Sequence, residues 1–485
     1  MRRNLFLVIS TSLVLYILAG AQTTNTTTEY APLMLPSGKK FPTSQAALLK
    51  LRDDQDVTGM RTHAWEIFAG LTNGSRGSHP IWETWFTKCD AGVSSTDCKQ
   101  LTPSDKASPR HFLGSIEIPT QLILGFQQSA GFKAQALAAD RAASALYFSQ
   151  FIDQFKQHPQ FASVLFNRTA AEHIRKEKLF TAQGIGSVFA RRVASHSPDQ
   201  EREIDPFPNG SVALKTTWAL VSDNGGNLPT LYIPNPTVLA SKRASGMNQS
   251  IPTPSDWGTS VRIDTSSKTT CEDRDYVAEG DNSAPIVPLD CFYSYKFDTE
   301  DDANAFPRNL GRITGYGSII PGHTFLILVG VHAITKETPD WVWTTFWWQN
   351  KTSHAPARVH GNRWRHFLMD TTLSNTTPFE PAPDYGPKMC FNPYLEAQFP
   401  NGIVSNCVRC HEHAVYTSNG QHAKVLEGLD LGSPWRDGTP ANSRPKNCHY
   451  FDDALRTDFM WSLANQQDAS ITAFLSALAQ YIQER

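Results

Sequence analysis

Apolar residues recur at three- and four-residue steps through Ala134–Gln157, a stretch rich in Ala, Leu and Phe, and this spacing predicts a helix. Arg61–Leu71 and Arg168–Phe180 carry the same pattern. Residues 44–204 therefore read as a helical region, with a loop rich in Gly, Pro and Ser between the first two helices. After Asp205-Pro206 the pattern changes. Val212–Val221, Leu228–Ile233, Phe292–Phe297, Thr324–Lys336 and Trp341–Trp348 are β-rich runs bounded by Pro, Gly, Asn and Asp. They predict a largely antiparallel β domain within 205–387, its strands reaching to about Asp370 and its Pro-rich end, Asn375 to Pro387, forming a linker or surface loop. The remaining segment, 388–485, closes with an amphipathic helix, Ala469 to Gln483. The expected class is α+β, and no internal repeat is visible.

The N-terminus bears on the compartment. Arg2 and Arg3 form a positive n-region, Leu5 to Leu18 an apolar h-region, and Ala19-Gly20-Ala21 a small-residue cleavage site. We expect 1–21 to be a signal peptide cleaved after Ala21, and 22–43, Thr-rich from Thr23 to Thr28, to be a flexible leader. The competing reading is a membrane anchor, but the apolar run falls short of the roughly 20 residues a spanning helix needs. Ala21 also stands where a lipoprotein signal would place a cysteine. The expected location is periplasmic or secreted, with no membrane span in the mature chain. A net charge of −2 and 19% charged residues, without a basic tract or acidic tail, give no footing for a nucleic-acid partner.

Eight cysteines in an exported chain should be bonded to something. Cys407-Val408-Arg409-Cys410-His411 is the C-x-x-C-H pattern of covalent haem attachment. Two thiols at this spacing can add to the two vinyl groups on one porphyrin edge, and the following His reaches the iron from the same side. The expected cofactor is one haem c, bound through Cys407 and Cys410 with His411 as proximal ligand. A disulfide turn with an incidental His, and a zinc site using Cys407, Cys410, His411 and His413, remain as alternatives. The zinc reading suits a reducing compartment and lacks a second C-x-x-C. The six remaining cysteines pair by proximity as Cys89 with Cys98 and Cys271 with Cys291, leaving Cys390 with Cys448.

Two residues compete for the sixth iron position. Met460 lies about fifty residues beyond the motif, a spacing that small single-haem cytochromes use, but it sits in an apolar run, where an ordinary core Met is the favoured reading. His332 lies in a run that alternates as a strand, with Leu326, Leu328, Gly330 and His332 expected on one face and Gly330 leaving room for a flat cofactor. Its competing reading is a hydrogen-bonded core His. His323, His354 and His366 read as solvated loop histidines, and Lys336-Glu337 as a solvated pair at a strand end. Trp341–Trp348 is apolar on both strand faces and should be buried between layers.

Three stretches together resemble a family of bacterial exported cytochrome-c-like proteins with no assigned reaction: His332–Trp348, Phe391–Glu396 and Ser405–His411. Trp65–Phe68, Trp82–Trp85, Leu214–Trp218 and Thr457–Trp461 are similar to it too. The resemblance implies that the β domain and the haem segment act as one unit, and it favours His332 over Met460 as the distal ligand. The expected function is electron transfer with a redox partner protein or small molecule. A haem enzyme, with His332 or Lys336 as acid–base group, and a ligand sensor are the alternatives. A haem-free, disulfide-bonded β-rich binding protein is a further one.

Overall fold

The structure, a computed structural model, describes residues 31–72, 79–92, parts of 113–123, 141–157, 160–197, 202–230, 257–306 and 319–373 with short gaps, most of 390–396 and 407–417, 453–464, and residues 474 and 478. Helices α1 (Gln45–Asp53), α2 (Val57–Thr72), α3 (Arg141–Gln157), α4 (Arg168–Glu177) and α5 (Ala182–Ala194) precede most of the sheet. Local chemistry sets their ends. The Asn167 side chain accepts from Ala170 N–H to cap α4, and Thr181 accepts from Gly184 N–H to cap α5.

The strands are β1 (Phe86–Thr87), β2 (Gln160–Phe166), β3 (Val212–Ser222), β4 (Gly226–Pro229), β5 (Ser260–Asp264), β6 (Ile286–Pro288), β7 (Ser294–Lys296), β8 (Thr324–Thr335), β9 (Val342–Trp348), β10 (Phe367–Thr372), β11 (Val415–Thr417) and β12 (Ala454–Arg456). The main sheet runs β1-β2-β3-β8-β9-β10, all antiparallel, with β7 also on β8. The fold is thus α+β with a central antiparallel sheet. One expectation is corrected: the region read as helical, with a loop stretch, also contributes β1 and β2. Gln160–Phe166, apolar at five of its seven positions and followed by Asn167, pairs along its whole length with β3.

β8 and β9 are the central strands, and every residue of both is buried. That explains their apolar character on both faces: each face is covered. Helix α2 covers one. Its Phe68 stacks on Phe346 of β9 at 4.2 Å between ring centres and meets Phe367 of β10 at 5.4 Å. Gly70 lets residues 33–34 lie against the helix, since an added Cβ would stand 2.6 Å from the Met34 carbonyl oxygen. Phe68→Ala is expected to cost about 3–5 kcal/mol, because a fully enclosed aromatic ring is lost from the core. Urea unfolding monitored by tryptophan fluorescence measures it.

The opposite face carries a second apolar cluster built from Phe166, Ala213, Ile334, Trp343, α4, and the segments around Cys407 and Met460. Of the closing helix, Phe474 and Leu478 are described. Both are buried, and Phe474 packs on Phe148 and Phe151 of α3.

Glu337, just past β8, is buried rather than solvated. Its carboxylate accepts from Thr43 N–H and Thr335 Oγ1 and lies 3.0 Å from His63 Nε2. Burial pushes its pKa up, but these partners outweigh burial and hold it below the ordinary value of 4.5. The unfolded chain therefore takes up this proton at a higher pH than the folded one. Stability from this group is full above the ordinary pKa and is lost as pH falls through the lower, folded value. Glu337→Gln is expected to cost about 2–3 kcal/mol at pH 7 and to flatten the loss of stability in acid. Urea midpoints between pH 3 and 7 test both.

Candidate haem site

The geometry begins with a bulge. Thr217 of β3 pairs with Gly330 and Trp218 with Leu328, so the pairing skips Val329. The extra residue swaps the faces of β8. Leu326 and Leu328 are therefore not on the side of Gly330 and His332, contrary to the simple alternation. His332 shares its face with Lys215 of β3 and Thr345 of β9, its partners in register, and with Trp343 one step along. This is the face away from Phe346 and α2. Gly330 serves a different purpose from the one expected. A Cβ there would lie 3.3 Å from Asn392 Oδ1, and Asn392 Nδ2 donates to Thr345 Oγ1 and to the Phe346 carbonyl. The glycine makes room for a side chain that ties the segment before the motif to the sheet.

Cys407–His411 forms one helical turn over this face. Cys407 and Val408 are buried in the second cluster; the side chain of Cys410, with His413, Cys98 and Cys448, lies outside the described residues. The His411 ring centre lies 4.5 Å from that of Trp343 and 5.7 Å from that of His332. The turn thus brings together the two histidines singled out from the sequence, 79 residues apart (411 − 332).

Both rings are held neutral at pH 7. His411 Nδ1 lies 2.8 Å from the Phe459 carbonyl oxygen, which can only accept; Nδ1 therefore carries the proton and Nε2 keeps its lone pair. Burial pushes His411 down to about 4, against the pull of that hydrogen bond. Burial, followed by the charges of His411 and Lys215, holds His332 well below the usual imidazole range. His332 Nε2 is buried with no hydrogen-bond partner among the described residues. Such an orphan costs about 1–3 kcal/mol unless a bound group satisfies it. Two imidazole nitrogens about 2 Å from one metal would put their ring centres about 6 Å apart, close to the 5.7 Å between these two rings.

No family model, curated protein or solved structure matches this chain.

What fixes the Phe459 carbonyl is a turn the sequence did not announce. β11 follows the motif and pairs with β12, and Thr457 N–H donates to the Ala414 carbonyl. Asp458 and Phe459 then adopt φ of +46° and +70°, conformations that non-glycine residues rarely hold. Asp458 is pinned from three sides. Its Oδ1 accepts from Lys336 Nζ at 2.7 Å and from Trp341 Nε1 at 3.2 Å, and its Oδ2 accepts from Phe207 N–H at 2.8 Å. Lys336 also donates to the Pro339 carbonyl and lies over the Trp341 ring. Lys336, read as solvated, is thus buried, with its ammonium bonded to Asp458 and to the Pro339 carbonyl.

The other expected site residues fall as follows. Met460 is buried in the second cluster and its carbonyl lies 3.0 Å from Thr457 Oγ1. Cys271 and Cys291 are joined, with an S–S distance of 2.12 Å, and Cys89 is disulfide-bonded. His366, read as solvated, is buried beside that bond and stacked on Trp348, because its short helix, Asn362–Arg365, leads straight into β10. It completes a Cys271–Cys291–His366 cluster with ligand spacing, but the disulfide occupies both sulfurs there. His323 is exposed, against Asp223. Cys390 stands as a thiol with its Sγ 3.5 Å from that of Cys407. No helix among the described residues is long and apolar enough to cross a membrane.

Proposed function

We propose that the protein is an exported monohaem c-type cytochrome acting in electron transfer, akin to the cytochrome-c-like family it resembles. Cys407 and Cys410 would bind haem c covalently, His411 would be its proximal ligand and His332 its distal one. The observation that carries this reading is the pairing of His411 with His332, whose buried Nε2 has no other partner among the described residues. Haem c supplies a one-electron ferric–ferrous couple.

The chain's own residues support transfer over turnover. With both His411 and His332 holding it, a bound haem iron would keep no open position for a substrate. The Phe459 carbonyl sets the tautomer and orientation of His411, an outer-shell bond that also raises the basicity of the ligating nitrogen. Trp343 and the second cluster pack beside the pair, of which His332 is buried and His411 half-buried, and Lys215 adds a positive charge on the same face. The electron's partner would be an exported redox protein or a small molecule.

The test is an absorption spectrum, before and after dithionite, of protein made with a c-type maturation system, together with haem staining of a denaturing gel. A stained band with sharp reduced α and β peaks is expected. A high-spin spectrum would favour the enzyme or sensor, and a colourless protein would defeat the reading. Cys407→Ser combined with Cys410→Ser is expected to abolish the stained band while leaving an intact chain on the same gel.

A further inference from the structure

We infer that Cys390 and Cys407 form a dithiol–disulfide couple that, when oxidised, withholds Cys407 from haem attachment. The two Sγ atoms lie 3.5 Å apart, and the Cys407 thiol also approaches the Cys390 carbonyl oxygen at 3.1 Å. A disulfide needs about 2.05 Å between sulfurs, so the two sulfurs must approach by about 1.5 Å to bond. Both residues are buried in the second cluster, 1% and 4% exposed. Their positions are set from opposite directions: Cys390 by the neighbouring Asn392, bonded to β9, and Cys407 by its helical turn. Folding itself therefore brings these thiols together, seventeen residues apart in the chain.

The chemistry is ordinary thiol–disulfide exchange. The Cys407 thiolate attacks one sulfur of a small-molecule disulfide such as glutathione disulfide, and one glutathione thiolate leaves. The Cys390 thiolate then attacks the Cys407 sulfur of that mixed disulfide and expels the second glutathione thiolate. Two electrons pass to the glutathione disulfide, and the two protons from the cysteines end on the released glutathiones. Excess reduced glutathione reverses both steps. A sulfur held in a disulfide cannot add to a vinyl group, so only the reduced couple leaves Cys407 open to attachment. The couple follows from the two thiols alone; its gating effect rests on the haem reading proposed above.

The full chain, exported from cells lacking haem maturation, would be equilibrated in glutathione buffers of graded ratio, quenched in acid and alkylated with a maleimide. Peptide mapping by mass spectrometry reads the linkage. The expected result is a peptide joining Cys390 to Cys407 that grows as the buffer becomes more oxidising, with loss of the maleimide adducts on both. Alkylation of both thiols at every ratio, or bonds joining Cys407 to Cys410 or Cys390 to Cys448 instead, would overturn the couple. With the maturation system present, Cys390→Ser is expected to raise the haem-stained fraction under oxidising growth; Cys390→Ala, which buries no hydroxyl, repeats this arm if the serine variant folds poorly. Equal staining of variants and parent at every ratio would overturn the gate. A Cys390–Cys407 bond in a chain that never stains would keep the couple and defeat the haem reading instead.

Discussion

His332→Leu is expected to act with opposite signs in the haem-free and haem-loaded protein. In the haem-free chain the substitution removes a buried imidazole whose Nε2 has no partner among the described residues. Leu is of similar bulk, so relief of an orphaned polar group should stabilise the fold by about 1–2 kcal/mol. In the loaded protein, on the reading proposed above, the same change would remove a ligand of the iron. The spectrum should pass from low-spin to high-spin, and the ferrous form should bind carbon monoxide, which the parent should not. Urea unfolding of the haem-free variant and a carbon monoxide difference spectrum of the loaded one are the two measurements. If His332 were only a core histidine, the spectrum would not change; if it were satisfied by an unseen partner, the haem-free variant would lose stability. The two failures are distinguishable.

The residues that form this site were legible to different depths. The C-x-x-C-H motif is local, so five consecutive residues announce it. β8 and β9 announce themselves as long apolar runs, and their burial on both faces follows directly. His332 was found because it interrupts such a run. The face it occupies was harder. Alternation alone puts His332 with Leu326 and Leu328, but the skipped pairing at Val329 turns it to the other side, and the local signal for that bulge is the glycine next to it, Gly330. Gly330 did hint at a close approach, though what approaches is Asn392.

Less of the supporting shell could be read. Lys336 finds Asp458 across 122 residues, and Glu337 finds His63 across 274. Two adjacent charges at a strand end look solvated because that is the commoner outcome, and only the folded chain reveals separate buried partners for each. β2 was missed for a different reason. Gln160–Phe166 carries an apolar run bounded by Pro159 and Asn167, a usable strand signal, but it lies between helical patterns that dominate a wider window. Pairing with β3 outweighs that local context.

The buried Lys336–Asp458 pair carries the second large prediction, which couples stability to the site. Removing one partner of a buried pair leaves an uncompensated charge, so Asp458→Ala or Lys336→Met alone should each cost about 3–5 kcal/mol. The double variant Lys336→Met with Asp458→Leu should recover part of that loss, since no lone charge is left behind. Its effect on His411 should not recover. Positive φ at Asp458 and Phe459 is strained, about 1–3 kcal/mol for each, and persists only where surroundings over-determine it. With Asp458 gone, the bonds from Lys336, Trp341 and Phe207 are lost together, and the turn can relax. The Phe459 carbonyl then moves off His411 Nδ1, the ligating nitrogen becomes less basic, and the reduction potential of the loaded protein rises. Urea unfolding gives the stability of the single and double variants, and potentiometry gives the potentials. A double variant with both restored stability and the parent's potential would show that the pair acts only on the fold. Restored stability with a raised potential would make Lys336 and Asp458 positioning residues, acting on the iron's ligand through one backbone carbonyl.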